Sequence, residues 1–319
     1  MRWLVSSGLV RGLGGVISMV TKKGRVTPID VFLVLLLFAA FLYTFQRLRL
    51  GLHYHWSWEK IPQYFFRYDA EGQKWVTNFL MEGFLTTIRL SIWTTILAAM
   101  IGTGVGLCRA SPRLFYRLIG RTYVELIRNI PPIVVIFIIY YFLSDQIMTA
   151  IGMREFITTR SETTQGILRF LAAPPSLFSA FLSALVALAL IEGAYVAEIV
   201  RAGIQSVETG QWEAARSLGL SRWQQMRHVV LPQAVRRSLP PLAGQFISTI
   251  KDSAIASVIS IQELTFQGME LMSTTFLTIE VWVTITVMYL LLCLSLSLML
   301  GRLETSLANR EAYGFVLRP

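Results

Sequence analysis

Residues 213–232 have the sequence EAARSLGLSRWQQMRHVVLP, a basic stretch of helix-favouring residues between two apolar regions of the chain. The whole chain is 54% hydrophobic and 15% charged, with a mean hydropathy of +0.56. A soluble domain carries about 25% charged residues. Most of this chain must therefore contact lipid or other apolar helices, whereas residues 213–232 must face a polar environment.

Six apolar runs lie before and after this stretch. Each is near the length of about 20 residues that a membrane-spanning helix requires. The first run is the shortest. Together they predict an all-α integral membrane protein with about six transmembrane helices, at 29–45, 78–108, 121–143, 177–200, 242–261 and 277–300.

The distribution of basic residues predicts the orientation of these spans. With both termini in the cytoplasm, eighteen of the 29 Lys and Arg residues lie on the inside and eight on the outside, as the positive-inside rule requires. Arg47 and Arg49 are exceptions at an outer edge. Cytoplasmic loops thus account for the net charge of +10 without a nucleic-acid partner, and residues 201–240 lie in the cytoplasm.

Local signals within 201–240 predict a helix, a tight turn and a second helix. Residues 209–218 favour helix, and Gly219 is a natural C-terminal stop. Ser221 and Gln224 form a capping-box pattern for the second helix, which Pro232 ends or kinks. A solvated helical loop is the alternative interpretation. Small residues that allow another backbone to approach closely are Ala214, Ala215 and Gly219.

Glu-Ala-Ala at 213–215, Gly219 four residues later and Leu-Pro at 231–232 resemble the EAA loop of ABC importer permeases. GAYVAEIVRAGIQSVETGQWEAARSLGLS at 193–221 is similar to the polar amino acid permease family. The similarity extends over about 78–304 and includes YVELIRNIPPIVVIFIIYY at 123–141. The chain departs from the family pattern in KDSAIASVISIQEL at 251–264, where Ser-Ala-Ile replaces the usual Thr-Ser-Leu.

This resemblance implies a five-helix permease core with one additional N-terminal helix. Residues 1–77 would hold a cytoplasmic segment, the first span and an external linker. Residues 78–304 would form the transmembrane domain with its cytoplasmic loop at 201–240, and 305–319 a cytoplasmic tail. The N-terminal 77 residues and the outer loop 144–176 are not explained by the resemblance.

The resemblance also implies the partners. Two permease subunits, identical or homologous, would form a pathway through the cell inner membrane, and an external binding protein would deliver a polar amino acid. The chain has no Gly-x-x-x-x-Gly-Lys-Ser/Thr phosphate loop. ATP and Mg²⁺ would therefore bind two separate ATPase subunits, and this chain would bind no cofactor or metal. The residues that would couple it to the ATPase are Glu213, Ala214, Ala215, Gly219 and Pro232.

Charged residues within spans are candidates for the substrate site, because they usually face a cavity or a partner. Asp252 falls near the midplane, where transporter sites tend to lie, and Glu192 is well inside its span. A carboxylate there would receive the ammonium group of the substrate. Lys251 or Ser253 would receive the carboxylate group of the substrate. Structural pairing of Lys251 and Asp252 with other spans is the alternative. Arg89 either snorkels or lines the path.

Small residues and prolines indicate how the spans pack. Ala98, Gly102 and Gly106 recur at four-residue spacing, which favours a close helix crossing inside the chain over a subunit interface. The pairs Pro131-Pro132 and Pro240-Pro241 break regular helix near span boundaries. Arg128 and Glu125 are expected to be gate or packing residues.

Three other functions are compatible with parts of the sequence. A permease for another small solute would share the EAA loop. A membrane-embedded metalloenzyme would use His53, His55 and Glu59, which fall in an aromatic segment typical of an outer membrane interface. A passive channel would conduct without ATP.

Overall fold

The computed structural model describes residues 28–51, 54–147, 150, 152, 159 and 161–316. The chain divides into two compact units, of which one is Glu59–Leu300. The other contains α1, Pro28–Gly51, whose apolar part Pro28–Thr44 exposes most of its side chains. An apolar helix with so little buried surface is suited to a lipid environment. It lies where the sequence predicts the first span.

The predicted external linker contains a small β-hairpin. Strand β1, Phe66–Asp69, pairs antiparallel with β2, Lys74–Thr77, so that Phe66 lies opposite Thr77. Tyr68 packs edge-on against Trp75, whose ring is largely exposed. The aromatic residues of this segment thus belong to a hairpin, which the all-helical prediction did not include.

Three helices of the described chain are long and apolar enough to cross a membrane: α2, Phe79–Ala110; α6, Phe178–Gln205; and the part Thr278–Arg302 of α10, Thr278–Val316. Helices α2 and α6 pack closely along their length. A Cβ atom at Gly102 would lie 2.5 Å from Val196 Cβ, and one at Gly106 would lie 2.8 Å from Val200 Cβ. The predicted internal crossing at the small-residue stripe is therefore confirmed.

The predicted span at 121–143 is interrupted at the proline pair, as the sequence predicts. Helix α3, Leu114–Asn129, and α4, Pro132–Ile139, meet at an angle of 105° and count as one broken span at most. Pro131 and Pro132 explain the break, because each lacks an N–H group and each disfavours helical backbone at the residue before it. Ile130 accordingly adopts an extended conformation.

Helix α8, Leu231–Asp252, covers much of the predicted fifth span and continues as a tighter helical stretch, Ser253–Ile259. Pro240 and Pro241 lie inside α8, so their prediction as boundary residues is wrong. Charged residues such as Arg236 and Arg237 lower the hydropathy of α8. The structure thus supplies three candidate spans, or four with the bent pair, and the count of six is not confirmed.

The remaining helices are α5, Glu162–Leu171; α7, Thr209–Ser217; and α9, Leu264–Thr275. The Glu263 side chain caps α9 by accepting hydrogen bonds from the backbone N–H groups of Thr265 and Phe266, and it also accepts one from Tyr289 Oη. This buried carboxyl is well satisfied, which suits a structural role.

Candidate functional site

The polar loop begins with α7, which ends at Ser217, two residues before Gly219. Gly219 has φ of +74°, and a Cβ atom there would meet nothing within 4 Å. Its N–H donates to the Arg216 carbonyl at 2.9 Å, and the Leu220 N–H donates to the Ala215 carbonyl at 3.2 Å. Gly219 is therefore required by the left-handed backbone of the turn and not by crowding, as the sequence predicts.

The second helix of the loop begins with the predicted capping box. The Gln224 N–H donates to Ser221 Oγ at 3.4 Å, and the Ser221 N–H donates to Gln224 Oε1 at 2.8 Å. One turn, Arg222–Gln224, leads into a π-helical stretch, Gln225–Val230, and then into α8. The helix therefore does not end at Pro232, because a proline in a first helical turn has no intrahelical N–H bond to lose.

A small apolar cluster anchors the loop to the ends of α6 and α8. Ile204, Val207, Val230 and Ala234 are buried together, with Trp212 packed against them. Arg237 donates to the Ser206 carbonyl. The loop is thus part of the helical framework, so that a displacement of α7 would also displace α6 and α8.

The opposite side of the loop is exposed. Ala215 is buried, but Glu213 and Ala214 are exposed, and the side chains of Leu218 and Trp223 are 78% and 66% exposed. We call these four exposed residues, Glu213, Ala214, Leu218 and Trp223, the coupling face. Large apolar side chains beside charged ones on a polar loop are typical of a protein contact surface.

A charged cluster lies on α2, α3 and α6. The Glu198 carboxylate pairs with Arg109 at 2.6 Å, Arg201 at 2.8 Å and Arg128 at 3.4 Å. Arg128 also lies over the ring of Tyr195. The sequence identified Arg128 as a gate or packing residue but overlooked Glu198, which joins the three helices.

Within the membrane domain, Glu192 and Asp252 form a carboxyl pair. Glu192 is 1% exposed, and its Oε2 accepts hydrogen bonds from Gln245 Nε2 at 2.6 Å and Thr249 Oγ1 at 3.1 Å. Its Oε1 has no donor among the described residues, and the Asp252 carboxyl lies within hydrogen-bonding range of Glu192. Two such carboxylates repel each other unless a proton or a cation lies between them.

The other two predicted residues are placed differently. Ser253 is buried, and its hydroxyl donates to the Ile250 carbonyl at 2.8 Å, so its proton is already engaged. Lys251 is exposed and forms no ion pair within the described part of the chain, although it acts electrostatically on Asp252. Of the four predicted residues, the structure brings Glu192 and Asp252 together.

Sequence reasoning missed Gln245 and Thr249, which hold the Glu192 side chain. Together with Asp252 they recur at i, i+4 and i+7, which places all three on one face of a helix. Polar residues at this helical spacing within an otherwise apolar run could have identified Gln245 and Thr249 from the sequence.

The described residues contain no group of three His, Cys, Asp or Glu side chains able to hold a metal ion. His53, one of the three residues of the metalloenzyme alternative, lies outside the described residues. The fold and its anchored loop define a multi-pass helical membrane protein with an exposed contact surface on the loop.

Comparisons with known proteins identify the class more closely. Residues 95–309 match the family described as binding-protein-dependent transport system inner membrane component. The glutamine transport system permease protein of Escherichia coli (strain K12) is 34% identical over 229 residues, which cover 70% of this chain and 91% of that protein. The glutamate/aspartate import permease protein of the same organism is 33% identical, with 74% and 89% coverage.

Two solved structures share the fold. The crystal structure of an amino acid ABC transporter with histidines matches with a TM-score of 0.57 and 32% identity, covering 72% of this chain and 94% of that one. A methionine ABC transporter in an inward-facing conformation matches with a TM-score of 0.56 at 19% identity, which supports the fold alone. The chain belongs to the family of inner membrane components of binding-protein-dependent transport systems, and it is a permease subunit of the ABC importer type.

Proposed function

We propose that this permease subunit moves polar amino acids across the cell inner membrane, driven by ATP that separate subunits bind with Mg²⁺ and hydrolyse. The names of the relatives, which transport glutamine or import glutamate and aspartate, support this substrate class. The coupling face carries the proposal, because it is exposed on a loop that is packed firmly onto α6 and α8.

The proposed coupling uses Glu213, Ala214, Ala215, Gly219 and Pro232. The coupling face would sit in a groove of an ATPase subunit, and Ala215 and Gly219 would fix the shape of the turn behind it. Two ATPase subunits and a second permease subunit, identical or homologous, complete the proposed assembly. Movement of the ATPase subunits on ATP binding would shift α6 and α8, provided that the contacts differ between the two states.

In the proposed substrate site, the Glu192 and Asp252 pair receives the ammonium group of the amino acid. A cation between the two carboxylates would relieve their repulsion and supply a donor to Glu192 Oε1. Lys251 and Ser253 were predicted to receive the substrate carboxylate. Since the Ser253 proton is engaged, Lys251 is the stronger candidate for that role.

The proposed orientation places both termini and the loop at 201–240 in the cytoplasm. An external binding protein would then deliver substrate at the opposite side of the membrane. The domain boundaries at 77 and 304 remain predictions from the sequence.

Reconstitution tests the proposal. The chain, its ATPase and its external binding protein would be placed in proteoliposomes, and ATP-driven uptake of a panel of amino acids measured. We expect uptake of at least one polar amino acid that requires ATP. Intact ATP hydrolysis with no uptake of any amino acid would contradict the substrate class. Uptake without ATP would favour the passive channel, and metal-dependent turnover by the isolated chain would favour the metalloenzyme.

A Gly219→Asp variant tests the coupling role. The side chain would add strain at a positive φ and a charge beside the coupling face, so we expect ATP-driven uptake to be lost while the chain still inserts. Gly219→Asn is the matched control, because asparagine tolerates the left-handed conformation better than most residues. Full uptake by Gly219→Asp would count against the assignment.

A further inference from the structure

A cavity lies beside the first turns of α2, at the end of that helix opposite Ala110. Its volume is about 300 Å³. The walls come from α2, from α5, from the start of α6 and from residues 260–262. The polar lining includes Glu82, Arg89, Arg169 and Gln267. This cavity contains neither Glu192 nor Asp252.

Two arginines, Arg89 and Arg169, line this cavity. Arg169 and Glu82 are the charged groups that act electrostatically on Arg89. In the described part of the chain, neither Arg89 nor Arg169 forms an ion pair within 4.0 Å. Two guanidinium groups that line one cavity repel each other, and an anion bound between them would remove that cost. Planar guanidinium groups match the geometry of a carboxylate.

Acceptor groups line the neighbouring part of the cavity. Gln267 is 3% exposed, and its Oε1 has no donor among the described residues. Its side chain is wedged against Gly83, where a Cβ atom would lie 2.8 Å from Gln267 Cγ. Leaving a buried acceptor unsatisfied costs about 1–3 kcal/mol. The adjacent Glu82 carboxylate accepts only a long hydrogen bond, from Thr77 Oγ1 at 3.4 Å.

The cavity wall is held in place by the fold. Trp93 Nε1 on α2 donates to the Leu171 carbonyl at the end of α5 at 2.8 Å. Ala173 and Phe181, which also line the cavity, are buried in the main core cluster. Arg169 lies on α5, within the stretch 144–176 that the sequence resemblance does not explain.

We propose that this cavity binds the zwitterionic group of an amino acid, with the carboxylate at Arg89 and Arg169 and the ammonium at Glu82 and Gln267 Oε1. Side chains on a helix lean toward its N-terminus, which directs Arg89 toward Glu82 and brings the two halves of the site together. The choice of an amino acid over other zwitterions rests on the proposed function. The site is separate from the Glu192 and Asp252 pair.

Cysteine protection in the full-length chain, purified with its ATPase in nanodiscs, tests this site. Cys108→Ser and Cys293→Ser would first remove the two native cysteines. Ala180→Cys would then place a single cysteine in the cavity lining, and the rate of its labelling by a maleimide would be measured. With L-glutamine at about four times its Kd, we expect labelling to slow about fivefold. The analogue 4-aminobutanamide, which lacks the carboxylate, should not protect. Glu71→Cys on the hairpin, outside the cavity, should label equally with and without glutamine.

Adding Arg169→Gln should abolish the protection, whereas Arg113→Gln, an exposed arginine outside the cavity, should leave it intact. Asp252→Asn should also leave it intact, because the cavity does not use that pair. Protection that survives Arg169→Gln, equal protection by 4-aminobutanamide, or loss of protection in Asp252→Asn would each overturn the proposal. If amino acids are taken up but do not protect the cysteine from labelling, this site alone is contradicted. If they protect the cysteine but are not taken up, only the proposed function is contradicted.

Discussion

The contacts that shape the turn around Gly219 join residues close in sequence, such as Ser221 with Gln224 and Gln225 with Leu220. Glu192, in contrast, meets Gln245 and Thr249, which lie 53 and 57 positions further along the chain. The turn is a local structure whose residues were recognisable from their order in the chain. The carboxyl pair exists only because α6 packs against α8. Loss of a single local hydrogen bond in the turn should therefore weaken coupling only slightly, whereas changes in the membrane packing or the pair should be severe.

The largest effect is expected from filling the helix crossing. Gly102→Ile places a side chain where Val196 Cβ and the Gly193 carbonyl already lie within 2.8 Å of a Cβ atom. Since overpacking a tight site costs typically 1–3 kcal/mol or more, we expect the folded chain to fail to accumulate. Its yield and melting temperature in detergent would be compared with Gly104→Ile, where a Cβ atom meets nothing within 4 Å. Equal yields would show that α2 and α6 are not in close contact.

Glu192→Gln should give the next largest effect. Glutamine keeps the size and the acceptor oxygen for Gln245 and Thr249 but loses the charge that would hold an ammonium group. A hydrogen bond to a charged group is worth about 1.5–3 kcal/mol, so we expect uptake to fall by about tenfold or more. Initial rates in proteoliposomes measure it, with ATP hydrolysis as the control for assembly. Unchanged uptake would assign the pair a purely structural role.

A charge introduced on the coupling face should have the third largest effect. Leu218→Asp places a carboxylate at a side chain that is 78% exposed, so the folded chain should be unaffected. Loss of one apolar contact at a partner surface costs about 1–3 kcal/mol, and binding of the ATPase should weaken by about tenfold or more. Pull-down of the ATPase by the solubilised chain measures this. Leu239→Asp, at an exposed leucine on α8 outside the coupling face, is the comparison variant. Equal weakening by both variants would contradict a localised coupling face.

The smallest effect is expected from the capping box. Ser221→Ala removes the oxygen that accepts from the Gln224 N–H, at a typical cost of about 1 kcal/mol. Because the π-helical stretch and α8 follow directly, this loss should loosen only the start of the second helix. Hydrogen exchange at Arg222–Gln224 should become faster, with uptake reduced only a few-fold. Ser217→Ala, which removes a helical back-bond to the Glu213 carbonyl, should leave that exchange unchanged.

Much of the polar loop at 209–224 was predictable because its signals are local. The helix at 209–218, the stop at Gly219 and the Ser221–Gln224 box each depend on residues within one turn, and all three predictions are confirmed. The bend at Pro131-Pro132 was expected, but its angle of 105° was not, because a proline pair breaks a helix without fixing the direction of the next one. At Pro240 and Pro241 the proline pair does not break the helix, because packing keeps both residues within the continuous α8.

The candidate sites likewise combine features that the sequence predicts with features that only the structure shows. Asp252 and Glu192 were singled out because a charge in an apolar run is costly, but which of the charged residues meet could not be decided from their positions. Glu198 illustrates this, since nothing in its sequence context distinguishes it from other carboxyls, yet three arginines surround it.

The sequence by itself determined that this chain is a helical membrane protein, which residues form its polar loop and how that loop turns. Composition adds up along the chain, and capping chemistry acts within one helical turn, so both can be evaluated residue by residue. Only the tertiary structure decided that Glu192 meets Asp252, that Glu198 joins three helices, and that Arg89 and Arg169 line one cavity. These side chains lie on helices far apart in sequence, and their meeting depends on how closely α2, α6 and α8 pack, which glycine contacts and helix bends set in three dimensions.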